Sequence, residues 1–230
     1  MLSTPSARRR FADILREHTA TLHRRAEQSG IIGAILQGQS NRAGYTLFLR
    51  NLLPAYHALE AGLERHREKA GMGALFRPEV VRGPAIESDL VRLAGKEATE
   101  RLPLLPESVH YAARIAAASE EGAHSLLIAH AYTRYLGDLG GGPILKRRLA
   151  TAFNLEDDCL SFYDFPQVTD MRAFAMEYRG ALDAAAERFD DLDRVIDEAV
   201  ASFHLNIALS EAVEAFVRPG ASEQNERAED

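Results

Sequence analysis

The chain has one cysteine, Cys159, in 230 residues. A single thiol excludes an intrachain disulfide, a zinc ribbon, a CxxC redox pair and a CxxCH haem attachment, and it fits a reducing, cytoplasmic compartment. No run approaches 18 apolar residues, and the N-terminus lacks the apolar core of a signal peptide, so neither a membrane span nor secretion is expected. Basic excess is also missing: Lys+Arg 27 against Asp+Glu 34 gives a net charge of -7, which argues against a dedicated nucleic-acid binder. Strand patterning is absent as well. The last residues, "RPGASEQNERAED", have little to bury, so 1–217 is expected to form the domain and 218–230 a disordered polar tail.

What remains is 46% hydrophobic and almost wholly of helical period, which predicts one all-α helical domain. The stretch 8–28 is expected to form the first helix, with an apolar line through Phe11, Leu15, His18 and Leu22; on that line His18 is assigned to packing. A longer helix is expected over 41–69, with Asn41 as N-cap and Pro54 as a kink. Shorter helices are expected to begin near Pro84 and at Pro106, where proline is favourable in a first turn. Residues 123–154 form a further helix broken by glycines, and two more follow, beginning near Asp170 and Asp191.

Those glycines are the oddest feature. "YLGDLGGGPIL" (135–145) places Gly137, Gly140, Gly141, Gly142 and Pro143 among helix formers, although each interior glycine costs about 1 kcal/mol relative to alanine. The spacing does not match a phosphate-binding GxxxxGK[ST] loop, and no strand precedes it. Two readings stay open: a kink between helices, or backbone pressed against something large and flat, since a residue without Cβ permits close approach. On the first helix, Arg16, Ala20, His23 and Glu27 share a face distinct from the apolar line. A metal-binding imidazole usually has its second ring nitrogen held by an acceptor, and Glu27 stands four residues from His23.

The segments "TLHRRAE", "AHAYTRYLGDLGGG" and "FHLNIAL" resemble the haem oxygenases, as do "GYTLFLRNLLPAYHALEAGLER", "FRPEVVRGPAIESDL" and "EYRGALD". The likeness covers roughly residues 10–217 and is of the soluble, biliverdin-producing kind. It implies a haem b sandwiched between a proximal helix and a glycine-kinked distal helix, with haem serving as both cofactor and substrate. His23 would be the axial iron ligand and Glu27 its hydrogen-bond partner, while Gly137 and Gly141 would lie over the macrocycle. Asp138 would organise distal water together with Arg134, Tyr56 and Asn206, steering oxygen onto a meso carbon of the haem. Arg16, Tyr132 and Arg179 would hold the haem carboxylates, and Phe203 would pack against the ring. This chain has Ala20 and Ala175 where some members carry lysines, and Gly140 where animal forms carry serine.

The implied products are biliverdin, with the IXα isomer as the default, ferrous iron and carbon monoxide. O₂ and electrons would be consumed, the latter from a separate reductase or ferredoxin, because the sequence carries no flavin or dinucleotide fingerprint. The run Lys146, Arg147, Arg148 is one candidate docking surface for that donor. Two other readings are open. A haem-binding module could store or deliver haem without degrading it. Alternatively Glu107-x-x-His110 and Glu121-x-x-His124, with Glu60 and Glu64, could form a di-iron carboxylate site in a helical bundle.

Overall fold

In the computed structural model, residues 9–120 and 122–218 are described; Met1–Arg8, Glu121 and the greater part of the predicted tail, 219–230, lie outside them. Among the described residues there are nine α-helices and no strand. They are α1 (Phe11–Gln28), α2 (Gly30–Leu36), α3 (Arg42–His66), α4 (Gly83–Ala94), α5 (Lys96–Arg101), α6 (Pro106–Ala118), α7 (Leu127–Phe153), α8 (Met171–Ala186) and α9 (Leu192–Val217).

The helix ends follow their residues. Asn41 accepts from the backbone N–H of Gly44 at 2.8 Å, capping α3 as the sequence predicts. Asp170 likewise caps α8 through the N–H groups of Arg172 and Ala173. Two expectations are corrected. The glycine segment does not break its helix: α7 stays α-helical from Leu127 to Phe153, through all four glycines and Pro143. Proline removes one backbone donor, and the hydrogen bonds on either side carry the helix across the gap. His18 is exposed rather than packed, because the buried stripe of α1 runs through Phe11, Ala12, Leu15 and Thr19. α3 carries Pro54, the position expected to kink, inside its helical span.

α3 and α9 form the spine. α9 packs against α1, α2, α3, α6 and α7. By length and composition alone α9 could cross a membrane; here it is a helix that those five share. Its polar side chains bind it to α7. His130, wholly buried on α7, has Nε2 2.8 Å from Glu198 Oε1 and Nδ1 3.2 Å from Ser202 Oγ, both on α9. Arg114 of α6 donates to both Glu198 oxygens, at 3.0 and 2.6 Å. Burial works against ionising Glu198, yet His130 and Arg114 outweigh it and bring its carboxyl down to about 2. Burial keeps His130 below the ordinary histidine range despite that carboxylate. At neutral pH the pair is therefore a neutral imidazole donating to a carboxylate, a satisfied polar strut inside the core.

A second set of charges fixes the loop after α7. Asp89 of α4, with no exposed surface, accepts from the backbone N–H groups of Ser161 (2.9 Å) and Phe162 (2.8 Å). Arg82 donates to the carbonyls of Phe162 and Asp164, and its guanidinium lies 4.2 Å from the centre of the Phe165 ring. Lys146 of α7 reaches Asp164 at 2.8 Å and Asp157 at 3.1 Å. Lys146 is thus engaged in holding this loop and is not a free docking lysine; of the "KRR" run only Arg147 and Arg148 are exposed.

The turn from α1 into α2 passes through Gly30 at φ +59°, and a Cβ there would stand 2.3 Å from the carbonyl carbon of Ser210 on α9. Gly30→Ala is therefore expected to cost more than about 2 kcal/mol, from left-handed backbone strain plus the clash. Urea denaturation reads this directly, and a loss below about 0.5 kcal/mol would contradict the packing described.

Candidate active site

A cleft separates α1 from α7, floored by α9. Its α1 wall presents His23, Ala26 and Glu27; its α7 wall presents Tyr132, Arg134, Gly137, Asp138 and Gly141; Phe203 and Asn206 come from α9. His23 and the glycines Gly137, Gly141 and Gly142 line this one cleft. Methyl groups added at Gly137 or Gly141 would meet no atom within 4 Å and would stand in the slot itself. Gly142 serves another purpose, since its missing Cβ leaves room for the Tyr163 ring, 3.2 Å from where that carbon would lie. Gly140 faces outward.

On the α1 side, His23 Nδ1 lies 3.6 Å from Glu27 Oε1, and its ring centre is 6.0 Å from that of Phe203. The carboxylate is within ion-pair reach but just beyond hydrogen-bond length. With Glu27 on the Nδ1 side, Nε2 is the nitrogen left for a ligand. Apolar side chains continue the lining, Ile32 and Leu36 from α2, Phe48 and Leu52 from α3, and Leu136 and Leu145 from α7. An imidazole on one wall and bare backbone on the other suit a flat, metal-bearing macrocycle, and haem fits the residues present.

The α7 side carries the buried charges. Tyr56 stands behind the wall rather than on it and donates to Asp138 Oδ2 at 2.5 Å. Burial pushes the Asp138 carboxyl up to about 6, with Arg134, the Tyr56 bond and Arg82 pulling it partly back and Glu60 adding to the rise. Arg134 is buried, lines the cleft, lies 5.8 Å from the Tyr56 ring centre and keeps its Nε without a hydrogen-bond partner. Asn206 completes this side from α9.

The remaining predicted residues form one corner. Arg179 of α8 lines the cleft from an exposed position, and the Tyr132 hydroxyl lies 3.2 Å from Thr19 Oγ1. Arg16 is outside the lining, its side chain 77% exposed and 3.9 Å from Asp13. Sequence reasoning missed Phe162 and Tyr163, which reach the cleft from the loop held by Asp89 and Arg82. It also missed α2, whose seven residues carry no helical stripe.

The di-iron arrangement is not formed. Among the described residues no three histidine, cysteine or acidic side chains gather as a metal site. Glu60 accepts from the N–H groups of Arg82 and Gly83, Glu64 pairs with Arg67, and His124 stacks on His66. Glu121 lies outside the described residues.

Fold and cleft together define an all-α protein with a cleft between a histidine-bearing helix and a glycine-rich one. Residues 9–212 match the sequence family described as Heme oxygenase. Curated relatives include Heme oxygenase 1 of Nostoc sp., 35% identical over 205 residues that make up 89% of this chain and 86% of the relative. Heme oxygenase 1 of Rattus norvegicus is 34% identical over 219 residues, 94% of this chain and 75% of the rat protein. The solved structure of heme oxygenase-1 from Synechocystis, in complex with heme, superimposes with TM-score 0.84 at 29% identity, covering 96% of this chain and 100% of that one. That of the Leptospira interrogans heme oxygenase gives 0.82 at 33%, covering 89% and 100%. The chain belongs to the haem oxygenase family.

A carboxyl raised to about 6 from its ordinary 3.8 favours the neutral form, so the stability that Asp138 lends is present below about pH 4 and lost as pH rises through 6. The shift corresponds to roughly 2–3 kcal/mol. The ligand-free Asp138→Asn variant should gain that much over wild type at pH 7 and keep little of the gain at pH 4. Thermal denaturation across this range tests it, and a variant less stable at pH 7 would refute the assignment.

Proposed function

We propose that this protein cleaves haem to biliverdin, with the IXα isomer as the main product, releasing ferrous iron and carbon monoxide. The observation that carries the reading is His23 facing Gly137 and Gly141 across a slot, with buried Asp138 between the two glycines. Haem, as substrate, brings the iron at which O₂ is reduced and the meso carbon that is oxidised.

The protein's own groups bind, orient and supply protons. His23 holds the iron through Nε2, with Glu27 orienting the ring from the Nδ1 side. Gly137 and Gly141 leave the opposite face clear of side chains. Asp138, bonded to Tyr56, holds water on that face, with Arg134 and Asn206 beside it. A carboxyl near 6 exchanges protons readily at neutral pH, and no imidazole among the described residues occupies that wall. Phe203 packs on the ring from α9, while Arg179 and Tyr132, with Arg16 from outside the lining, meet the haem carboxylates. Electrons come from a separate reductase or ferredoxin, docked in part on the exposed Arg147 and Arg148, and the reaction is placed in the cytoplasm.

Hemin titration followed by reduction in air, with catalase present, tests the activity. Decay of the Soret band with growth of a bilin band is expected; a stable complex that never decays would favour storage, and no uptake would sink both readings. His23→Ala should abolish the native ferric spectrum and most turnover, and retention of that spectrum would point to a different ligand. For the donor surface, Arg147→Ala/Arg148→Ala should slow donor-driven turnover more at low than at high ionic strength while leaving hemin affinity unchanged. Equal rates at both salt concentrations would remove that surface from consideration.

A further inference from the structure

Thr19 is buried on α1, 1% exposed, and its Oγ1 donates to the Leu15 carbonyl at 2.7 Å. A threonine hydroxyl has one proton. That proton is committed, so in the 3.2 Å contact between Thr19 Oγ1 and Tyr132 Oη the tyrosine is the donor. Tyr132 lies at the corner of the cleft where Arg179 is found, with Arg16 near enough to act on it electrostatically. Its proton is therefore spent on joining α1 to α7. Among the described residues no other side-chain hydrogen bond joins these helices, which have little direct packing.

We propose that Thr19 and Tyr132 form a latch across the cleft mouth, and that a ligand carboxylate opens it by replacing Thr19 as the acceptor of the Tyr132 proton. The inference rests on the haem-binding reading above. Releasing Thr19 orphans nothing, because its hydroxyl keeps the bond to Leu15. The exchange is favourable only for an acceptor better than a hydroxyl, and a carboxylate flanked by two guanidiniums is one. An alkyl substituent offers Tyr132 no acceptor and leaves the latch shut. Thr19, which does not touch the ligand, thereby acts as a positioning residue that makes carboxylate-bearing tetrapyrroles the preferred occupants.

The test compares binding by Soret titration for hemin and for iron octaethylporphyrin, which has no carboxylate. Thr19→Val keeps the shape and removes the acceptor, so Tyr132 is freed. It should bind hemin about two- to tenfold more tightly, the equivalent of one net hydrogen bond no longer broken on binding. Affinity for the alkyl porphyrin should not change. Thr19→Ser restores the hydroxyl and should return to wild-type affinity. On a Tyr132→Phe background, which should itself weaken hemin binding, Thr19→Val should have no effect. Unchanged or weaker hemin binding by Thr19→Val, or equal tightening for both porphyrins, would overturn the latch while leaving the haem reading intact. Failure of the wild type to take up hemin would instead defeat that reading. Should Thr19→Val not fold, Thr19→Ala supports the same comparison with the same outcomes.

Discussion

A slot between two helices tends to collapse, because apolar side chains on facing walls gain about 25 cal/mol per Å² by meeting. Here the lining carries Ile32, Leu36, Leu136 and Leu145 on its sides and Phe203 on its floor, so the incentive to close is considerable. What prevents it is that each wall is packed against α9, while the Thr19–Tyr132 bond is the single side-chain hydrogen bond between the walls among the described residues. The α7 wall is held by the Glu198–His130–Ser202 bonds, with Asn206 one turn further along α9 already in the cleft. The α1 wall is held at its far end, where Gly30 lets the backbone of the α1–α2 turn lie against Ser210 and Ser210 Oγ accepts from the Ile32 N–H. Its near end is held by Asp183 of α8, which accepts from the backbone N–H of Ala12 at 2.8 Å. The width of the slot is thus set by α9 and α8, which hold the two walls from outside.

This division explains where the glycines lie. The α7 wall is a continuous helix, so its backbone can approach a ligand only where Cβ atoms are missing, and Gly137 and Gly141, one turn apart, provide that on the inner face. The loss of helix propensity is offset by packing elsewhere along the same 27 residues: Leu127, Ile128, Ala131 and Leu149 are fully buried around the glycine segment. Tertiary contacts override propensity here, which is why a helix was the observed outcome where a break was expected.

Most of the fold and half of the site were legible in the residues. Helices of twelve residues or more announced themselves by period, and His23 with the glycine run identified the two walls. α2 did not, because it has seven residues and begins at a left-handed glycine fixed by α9. Phe162 and Tyr163 gave no local signal either: their loop is placed by Asp89 and Arg82, more than seventy positions earlier. His18 was misassigned because the buried stripe of α1 drifts towards Thr19, a polar residue that an apolar count passes over although it is 1% exposed. Lys146 looked like part of a basic run until its two carboxylate partners, 11 and 18 residues on, came into view.

Two buried carboxylates, Glu198 and Asp138, are treated in opposite ways, and the difference separates structure from chemistry. Glu198 has a bidentate arginine and an imidazole, which outweigh burial and leave it at about 2, locked in the charged form. Asp138 has one phenol directly bonded to it and only the fields of Arg134 and Arg82 beyond, so burial dominates and brings it to about 6. A carboxylate clamped by an arginine would be cheaper for the fold but could not give up or take a proton near neutral pH. Leaving Arg134 without a direct bond to Asp138 keeps the carboxyl exchangeable, at a cost to stability that a purely structural residue would not impose. That is the property required of a group that manages protons beside a ligand rather than holding two helices together.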